Sequence, residues 1–247
     1  KAGYTLQIGN GPQIFNATKV KTICDFRVQD VQLGGQGAPL VPIGDKLLFS
    51  KYNYCLNLGG FANVSFEEKN KRIAFDICPV NIVMNFYAKQ LGKEYDNKGL
   101  IARKGKIHKT LLNDLNAISF YKKTPPKSLG FEFVKAVIFP LIQKYNLPVP
   151  TILRTFIEHI AIQMASVIKG EKKECLITGG GAFNTFLIEV LAQKTAVKLI
   201  LPSEEIINYK EALIFALLGY LKNFNQVNCL QSVTGASRNH SSGVIYS

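Results

Sequence analysis

The spacing of apolar and polar residues predicts a group of strands directly after residue 50. Apolar residues there alternate with polar ones or form short runs bounded by glycines or charged turns, which is typical of half-buried and buried strands. We expect a strand at Tyr54–Leu58, a turn at Gly59-Gly60, and two further strands at Phe61–Phe66 and Arg72–Phe75.

Helical periodicity dominates the middle of the chain. It predicts a helix from about Val80 to Leu91 and a largely helical section from there to about Lys169. Within this section one apolar stripe recurs at helical spacing and is expected to face a core. Its members are Ile152, Phe156, Ile160, Met164 and Val167.

Two strand–helix pairs complete the pattern. The sequence predicts a strand at Glu174–Thr178, a helix from about Ala182, a strand at Val197–Leu201 and a helix from about Tyr209 to Lys222. A hairpin, a third strand, a helix and two strand–helix units form the ribonuclease-H-like order. The expected fold class is therefore α/β, with a mixed sheet flanked by helices.

The same order suggests how the chain divides into domains. Residues 52–231 are predicted to form a ribonuclease-H-like domain, which would be the second domain of an actin- or hexokinase-type architecture. Residues 1–51, with a strand-like run at Tyr4–Ile8, would be the remainder of the first domain. Residues 232–247 are expected to return to that first domain, and a cleft would separate the two.

Composition narrows the function classes. The 247-residue chain is 47% hydrophobic and carries a net charge of +13, and nucleic-acid binding needs such a basic excess. The basic residues are spread out, with only short clusters such as Lys69-Asn70-Lys71-Arg72, which favours a solvated surface over a nucleic-acid interface. The longest apolar run, Ala212–Leu221, is too short for a membrane span of roughly 18 residues.

Cysteine and histidine usage points to a reducing compartment. The five cysteines are scattered without CxxC pairs, and the three histidines show no ligand spacing. Free thiols in apolar surroundings behave as small hydrophobic groups, and the cytoplasm is their natural compartment. The sequence therefore predicts a cytoplasmic protein without a metal site built from its own side chains.

Two glycine-containing turns are candidates for binding phosphate. Gly59-Gly60 lies between two predicted strands, and Gly179-Gly180-Gly181 joins a predicted strand to a helix. Glycine lets backbone N–H groups approach an anion closely, and a helix N-terminus adds partial positive charge. Each turn alone is also compatible with an ordinary structural turn, whereas the two together favour a nucleotide site.

Asp76 is the candidate for acid–base chemistry. It follows the third predicted strand in the sequence Phe75-Asp76-Ile77-Cys78-Pro79, at the edge where α/β sheets place their functional groups. A carboxylate at this position can cap the following helix or act as a general base. The pattern leaves both roles open.

Ten segments between residues 4 and 246 resemble the anhydro-N-acetylmuramic acid kinase family, in that family's order. The segments are Thr5-Leu6-Gln7-Ile8-Gly9, Asp25-Phe26-Arg27-x-x-Asp30, Gly34-Gly35-Gln36-Gly37-Ala38-Pro39-Leu40-Val41-Pro42, Asn57-Leu58-Gly59-Gly60-Phe61-Ala62-Asn63, Phe75-Asp76, Tyr95-Asp96, Pro125-Pro126-Lys127-Ser128, Gly179-Gly180-Gly181-Ala182-Phe183-Asn184, Glu211-Ala212 and Val233-Thr234-Gly235-Ala236.

The resemblance implies an enzyme of bacterial cell-wall recycling. ATP, water and 1,6-anhydro-N-acetylmuramic acid would give N-acetylmuramic acid 6-phosphate and ADP. Water would attack the anomeric carbon, and the released O6 would accept the γ-phosphoryl group. The resemblance also implies Mg²⁺ with the ATP, a small-molecule sugar substrate and a homodimer in the cytoplasm.

The resemblance assigns a role to each candidate residue. Asp76 would be the base for water and Glu211 would help to place water or sugar, although on the residues alone Glu211 reads as a solvated residue near a helix start. Gly59 and Gly60 would face the nucleotide phosphates. The adenosine side would be formed by Gly179, Gly180, Gly181 and Asn184. The sugar side would be formed by Arg27, Asp30, Gly35, Gln36 and Pro39, and for Arg27 with Asp30 a buried ion pair is an equal alternative.

Three features depart from the family pattern. The opening phosphate loop Met-Ser-Gly-Thr-Ser-x-Asp-Gly does not occur in the chain. Without it we expect severely impaired phosphoryl transfer, because positioning and charge stabilisation supply most of that catalysis. Cys78-Pro79-Val80 replaces Gly-Pro-Gly, and Leu129-Gly130-Phe131-Glu132 replaces Thr-Gly-Arg-Glu. A related sugar kinase with another acceptor, or a non-catalytic binding protein on this scaffold, are the alternative functions.

Overall fold

The structure, a computed structural model, describes residues 9–247, so the predicted strand at Tyr4–Ile8 lies outside the described residues. The strands are β1 Thr22–Cys24, β2 Tyr54–Leu58, β3 Phe61–Glu68, β4 Lys71–Pro79, β5 Glu174–Thr178, β6 Lys198–Ile200 and β7 Val244–Tyr246. The α-helices are α1 Gly11–Thr18, α2 Val28–Gln32, α3 Pro42–Leu48, α4 Asn81–Lys89, α5 Lys109–Ala117, α6 Phe131–Phe133, α7 Phe139–Gln143, α8 Val149–Val167, α9 Thr185–Ala192, α10 Glu204–Asn223 and α11 Gln231–Thr234. Among the described residues, no helix combines the length and apolar character needed to cross a bilayer.

The main sheet has five strands in the order β4-β3-β2-β5-β6. Two-residue turns join β2 to β3 and β3 to β4, whereas β2, β5 and β6 run parallel, with Asn57 opposite Thr178. Helices connect β4 to β5 and β5 to β6, as parallel neighbours require. This mixed sheet with its helices confirms the predicted ribonuclease-H-like α/β fold class.

Strands β2 and β5 follow the prediction closely, and the edge strand β4 does not. Strands β2 and β5 have the predicted bounds because each is a short run of buried residues between polar ends. Strand β4 continues to Pro79, so the predicted end at Phe75 was wrong. Ile77 and Cys78 are fully buried and extend the strand, so Asp76 lies inside β4 rather than after it.

The predicted helical stripe lies on α8. Ile152, Phe156, Ile160 and Met164 are buried, while Val167, at the end of the helix, is only half-buried. The long helical section before α8 was predicted too coarsely. Prolines and glycines divide it into short helices, 3₁₀ turns and a π-helical turn at Val134–Ile138.

The last two predicted helices begin at other residues than expected. A 3₁₀ turn occupies Gly180–Phe183, and α9 starts only at Thr185. Helix α10 already begins at Glu204, before the predicted start at Tyr209. Glu204 and Glu205 stabilise this earlier start, since acidic side chains interact favourably with a helix N-terminus.

Contacts divide the chain into two compact units. We call them the terminal unit, formed by residues up to Lys51, Phe66–Ala74 and Tyr209–Ser247, and the central unit, formed by Tyr52–Ser65 and Phe75–Asn208. The terminal unit has a core that includes Phe26, Ile43 and Ile214 and a small antiparallel pair of β1 and β7. The predicted domain boundaries at 51/52 and 231/232 stay a prediction.

Candidate functional site

The two glycine turns meet in the central unit at the carboxyl ends of β2 and β5. A Cβ atom on Gly181 would lie 2.7 Å from the Cβ of Leu58, and one on Gly179 would lie 2.9 Å from the Leu58 carbonyl. Gly179 also has a φ of +81°, which side-chain-bearing residues rarely adopt. Gly179 and Gly181 are therefore required for β5 to pack its turn against the end of β2.

Asn81, the first residue of α4, ties these turns to β4. Its Nδ2 donates to the carbonyl of Leu58 at 3.2 Å and would lie 3.5 Å from a Cβ on Gly181. The N–H of Val80 donates to Gly60 O at 2.8 Å, and the N–H of Asn81 donates to Gly59 O at 3.3 Å. The glycine carbonyls thereby satisfy donors at the start of α4, which every helix leaves open.

The phosphate role predicted for the glycine N–H groups is only partly compatible with these bonds. The N–H of Gly59 donates to Phe61 O at 3.1 Å and is committed. Gly60 and Gly180 are exposed, and a Cβ on either would meet its nearest atom only at 3.8 or 3.9 Å. The space for a flat ligand or a phosphate therefore lies over Gly60 and Gly180, while the nucleotide contacts themselves stay a prediction.

Asn184 has a local structural role. Its Oδ1 accepts the N–H of Leu187 at 3.0 Å and caps the N-terminus of α9. The residue is buried, and Gly99 packs so closely that a Cβ there would lie 2.6 Å from the same oxygen. The capping bond explains why an asparagine occupies position 184, and the predicted nucleotide contact of Asn184 stays a prediction.

Asp76 is half-buried on β4, one of the two edge strands of the main sheet. The segment that follows Pro126 runs along this edge. The N–H of Asp76 donates to Lys127 O at 3.1 Å, and the N–H of Leu129 donates to the Asp76 Oδ2 at 2.7 Å. The other carboxylate oxygen, Oδ1, has no hydrogen-bond partner within residues 9–247. Asp76 does not cap α4, whose N-cap, Val80, has no side-chain cap bond.

The surroundings of Asp76 favour its action as a general base. Burial raises the pKa of Asp76 above the ordinary value of an aspartate, and the hydrogen bond from Leu129 partly offsets that rise. The ammonium of Lys127, whose carbonyl accepts the Asp76 N–H, lies over the rings of Phe120 and Phe75, at 4.9 and 5.6 Å from their centroids. Sequence reasoning missed Leu129 because a backbone donor leaves no mark in the residue type.

The predicted sugar-side residues lie in the terminal unit, and Arg27 and Asp30 both bind the backbone of one loop residue, Gly37. Arg27 Nη1 donates to the carbonyl of Gly37 at 2.6 Å, and the N–H of Gly37 donates to Asp30 Oδ2 at 2.7 Å. No ion pair between Arg27 and Asp30 occurs among the described residues, so that alternative was wrong. Both side chains instead fix Gly37, whose φ is +69°.

Asp30 is fully buried and accepts several hydrogen bonds. Its Oδ1 accepts the hydroxyl of Thr234 at 2.7 Å and the thiol of Cys229 at 3.1 Å. Burial, together with this bond to Asp30, raises the pKa of the Cys229 thiol, which is therefore protonated. Gly35 packs against the same carboxylate, and a Cβ atom on Gly35 would lie 2.2 Å from Asp30 Oδ2. Asp30 therefore holds the loop in place from its buried side.

The remaining predicted residues of the terminal unit are exposed. Gln36 and Pro39 lie on the outer side of the loop, and the Gln36 N–H donates to Thr234 O at 3.0 Å. Glu211 is exposed on α10 and lies within the helix rather than at its start. Their predicted contacts with sugar or water stay predictions.

Comparison with known proteins gives a consistent family. The family model described as anhydro-N-acetylmuramic acid kinase matches residues 1–247. The protein of that name from Mannheimia succiniciproducens is 35% identical over 263 residues, which cover 98% of this chain and 70% of the relative. The corresponding protein from Crocosphaera subtropica is 35% identical over 264 residues, covering 96% of this chain and 69% of the relative.

Among solved structures, one similar chain is the activator of the 2-hydroxyisocaproyl-CoA dehydratase from Clostridium difficile with bound ADPNP. It is 17% identical, with a TM-score of 0.45, over 70% of this chain and 61% of its own. The family assignment depends on the sequence matches. On their identity and coverage, the chain belongs to the anhydro-N-acetylmuramic acid kinase family.

Proposed function

We propose that the protein is an ATP-dependent kinase that opens 1,6-anhydro-N-acetylmuramic acid with water and phosphorylates O6 to give N-acetylmuramic acid 6-phosphate. Family membership supports the reaction class and the use of ATP. The structural observation that carries the proposal is Asp76, a half-buried carboxylate with a raised pKa and one oxygen that has no hydrogen-bond partner among the described residues.

In the proposed reaction Asp76 takes a proton from water as the water oxygen bonds to the anomeric carbon. The bond from that carbon to O6 breaks, and O6 forms a bond to the γ-phosphorus of ATP as ADP departs. O6 is captured by phosphorus rather than by a proton, so one base suffices where ordinary glycoside hydrolysis needs two carboxyl groups. The N–H of Leu129 fixes Oδ2, which leaves Oδ1 to accept the proton.

The glycine turns of the central unit are the proposed nucleotide side. Gly60 and Gly180 leave open space beside the backbone at the ends of β2 and β5, where this class of sheet places ligands. Mg²⁺ would be carried by the ATP phosphates and shield their charge. Glu211 and the loop residues Gln36 and Pro39 are proposed to contact water or sugar.

A homodimer in the cytoplasm is part of the proposal. The five cysteines all lie within residues 9–247 and form no disulfide there, and Cys55, Cys78, Cys175 and Cys229 are buried. Such thiols suit a reducing compartment. The dimer comes from the resemblance described above and is tested by sedimentation of the purified protein.

The direct test measures ADP release on addition of the anhydro sugar, with mass-spectrometric detection of the 6-phosphate. The protein is prepared as its full reading frame encodes it. We expect ADP and the sugar phosphate in equal amounts, with the anomeric hydroxyl oxygen derived from ¹⁸O-labelled water. ADP release only with another sugar would favour a related kinase, and tight ATP binding without product would favour a binding protein.

A further inference from the structure

A second cluster of side chains lies in the terminal unit and has no role in the proposed reaction. One potential ligand atom from each of Asp30, Cys229 and His240 lies within 4.8 Å of those of the other two, and all three residues are buried. Asp30 Oδ1 is 3.1 Å from Cys229 Sγ and 3.5 Å from His240 Nε2. Asp30 is 199 residues away from Cys229 in the sequence, so no spacing motif marks the three residues.

The hydrogen bonding of His240 determines which of its ring nitrogens presents a lone pair to the cluster. Nδ1 lies 3.1 Å from the carbonyl oxygen of Arg238, and because a carbonyl only accepts, Nδ1 carries a proton. The other nitrogen, Nε2, is buried, has no hydrogen-bond partner in the described part of the chain and faces Asp30 Oδ1. A neutral imidazole there turns its lone pair toward a carboxylate oxygen, and a cation bound between the two atoms would relieve the repulsion.

The backbone holds the three donors in place. Cys229 and His240 are partners in an isolated antiparallel bridge, in which each N–H donates to the other's carbonyl at 3.1 and 3.2 Å. Directly opposed residues in such a bridge project to the same face. Asp30 is oriented by the Gly37 N–H on Oδ2 and the Thr234 hydroxyl on Oδ1.

We propose that Asp30, Cys229 and His240 bind a divalent metal ion of the zinc class. A thiolate, an imidazole nitrogen and a carboxylate oxygen are the ligand types that Zn²⁺ takes in proteins, with bonds of about 2.0–2.3 Å. Tetrahedral angles and those bond lengths require ligand atoms to lie about 3.3–3.7 Å apart, close to the two separations given above. Binding displaces the thiol proton of Cys229 to solvent.

The outer contacts match those of protein metal sites. A histidine ligand usually donates its other N–H to a carbonyl or carboxylate, as His240 does to Arg238, and a carboxylate ligand is itself hydrogen-bonded, as Asp30 is. The ion would join α2 to the C-terminal segment of the terminal unit and hold Asp30 against Gly37. Its role is structural and does not depend on the proposed kinase activity.

The test begins with the unaltered protein, stripped of metal with a chelator and titrated with Zn²⁺ and Co²⁺. We expect one equivalent of metal per chain and, with Co²⁺, a thiolate-to-metal charge-transfer band. X-ray absorption of the zinc form should show one sulfur at about 2.3 Å beside nitrogen or oxygen at about 2.0–2.2 Å. A spectrum without sulfur would mean an adventitious ion only and overturn the proposal.

Variants then locate the ion. Cys229→Ser and His240→Gln should each weaken zinc binding by at least about 10–100-fold, the loss that even an outer hydrogen-bond partner causes. Cys24→Ser, the other cysteine of the terminal unit, should bind zinc as the unaltered protein does. Equal affinity in all three variants would overturn the assignment. So would failure to bind zinc with both His240 nitrogens found protonated by ¹⁵N NMR, because an imidazolium–carboxylate pair would then account for the cluster.

Discussion

Asp30 and Asp76 are two carboxylates to which the family resemblance gives roles, and their surroundings in the structure are opposite. Asp30 is completely buried, and its two oxygens accept bonds from Gly37, Thr234 and Cys229. Asp76 is half-buried and accepts one bond, from Leu129, on one oxygen. A carboxylate that accepts hydrogen bonds on both oxygens stabilises its surroundings, whereas one with an oxygen that has no partner among the described residues and a raised pKa is available for proton transfer.

The largest expected effect comes from removing the charge at the free oxygen. Asp76→Asn should reduce kcat of the kinase by about 10²–10⁴-fold, because the amide cannot take a proton from water. The thermal midpoint should stay the same or rise, since the variant removes a partly desolvated charge and an amide oxygen can still accept the Leu129 N–H. Steady-state kinetics and a thermal melt measure the two effects.

Two controls sharpen this prediction. Glu189→Gln, in a surface pair with Arg103, removes an acidic charge of the same unit without touching β4 and should leave kcat unchanged. In the unaltered enzyme kcat/KM should be retained above the raised pKa of Asp76 and lost as the pH falls through it, because only the deprotonated form accepts a proton. An Asp76→Asn variant with full activity would exclude the proposed base.

The next effect concerns stability in the terminal unit. Asp30→Asn should lower the free energy of unfolding by about 3 kcal/mol, because its amide group would face the Gly37 N–H as a second donor and leave buried donors unpaired. Urea denaturation measures the change. Glu67→Gln, in an exposed pair with Lys46 in the same unit, should change it by less than about 1 kcal/mol. A similar loss in both variants would remove the contrast between buried and exposed carboxylates.

Sequence alone anticipated the elements whose burial pattern is local. The bounds of β2 and β5 and the apolar face of α8 follow from short-range spacing, because those residues are buried on faces that periodicity reveals. The end of β4 did not follow, since Asp76 interrupts an apolar run that tertiary contacts keep in the strand. The polar groups on the outer side of an edge strand find hydrogen-bond partners in a segment that is distant in the sequence, here Lys127 to Leu129.

The residues of the site could be predicted from the sequence, but the contacts between them could not. Glycine pairs indicated tight approach, and the structure shows that Gly179 and Gly181 make that approach to Leu58. Which carbonyls cap α4 is a property of the fold, and no residue type records it. For the same reason the spacing of histidines and cysteines could not reveal that Asp30 lies beside Cys229 and His240.

Two neighbouring glycines of the Gly179-Gly180-Gly181 turn should separate the effect of packing from that of ligand access. Gly179→Ala should cost about 1–3 kcal/mol of stability, since its φ of +81° and its contact with the Leu58 carbonyl exclude a Cβ. Gly180→Ala has open space and should cost less than about 0.5 kcal/mol. If the nucleotide lies over Gly180, this variant should raise KM for ATP. Equal stability losses in both variants would contradict the geometry.

The smallest expected effect tests whether the side chain of Asn184 is used within the fold, like that of Asp30, or is available to a ligand, like that of Asp76. Its Oδ1 is committed to the Leu187 N–H, so Asn184→Ala should lose about 1 kcal/mol of stability, the ordinary value of a helix cap. Asn184→Asp keeps the acceptor and places negative charge at the N-terminus of α9, so it should retain that stability. KM for ATP, measured below the unfolding range, should then be unchanged in Asn184→Asp and Asn184→Ala alike if the residue only caps the helix. A rise in KM in Asn184→Ala with unaltered stability would instead place this amide, like the free oxygen of Asp76, on the ligand side.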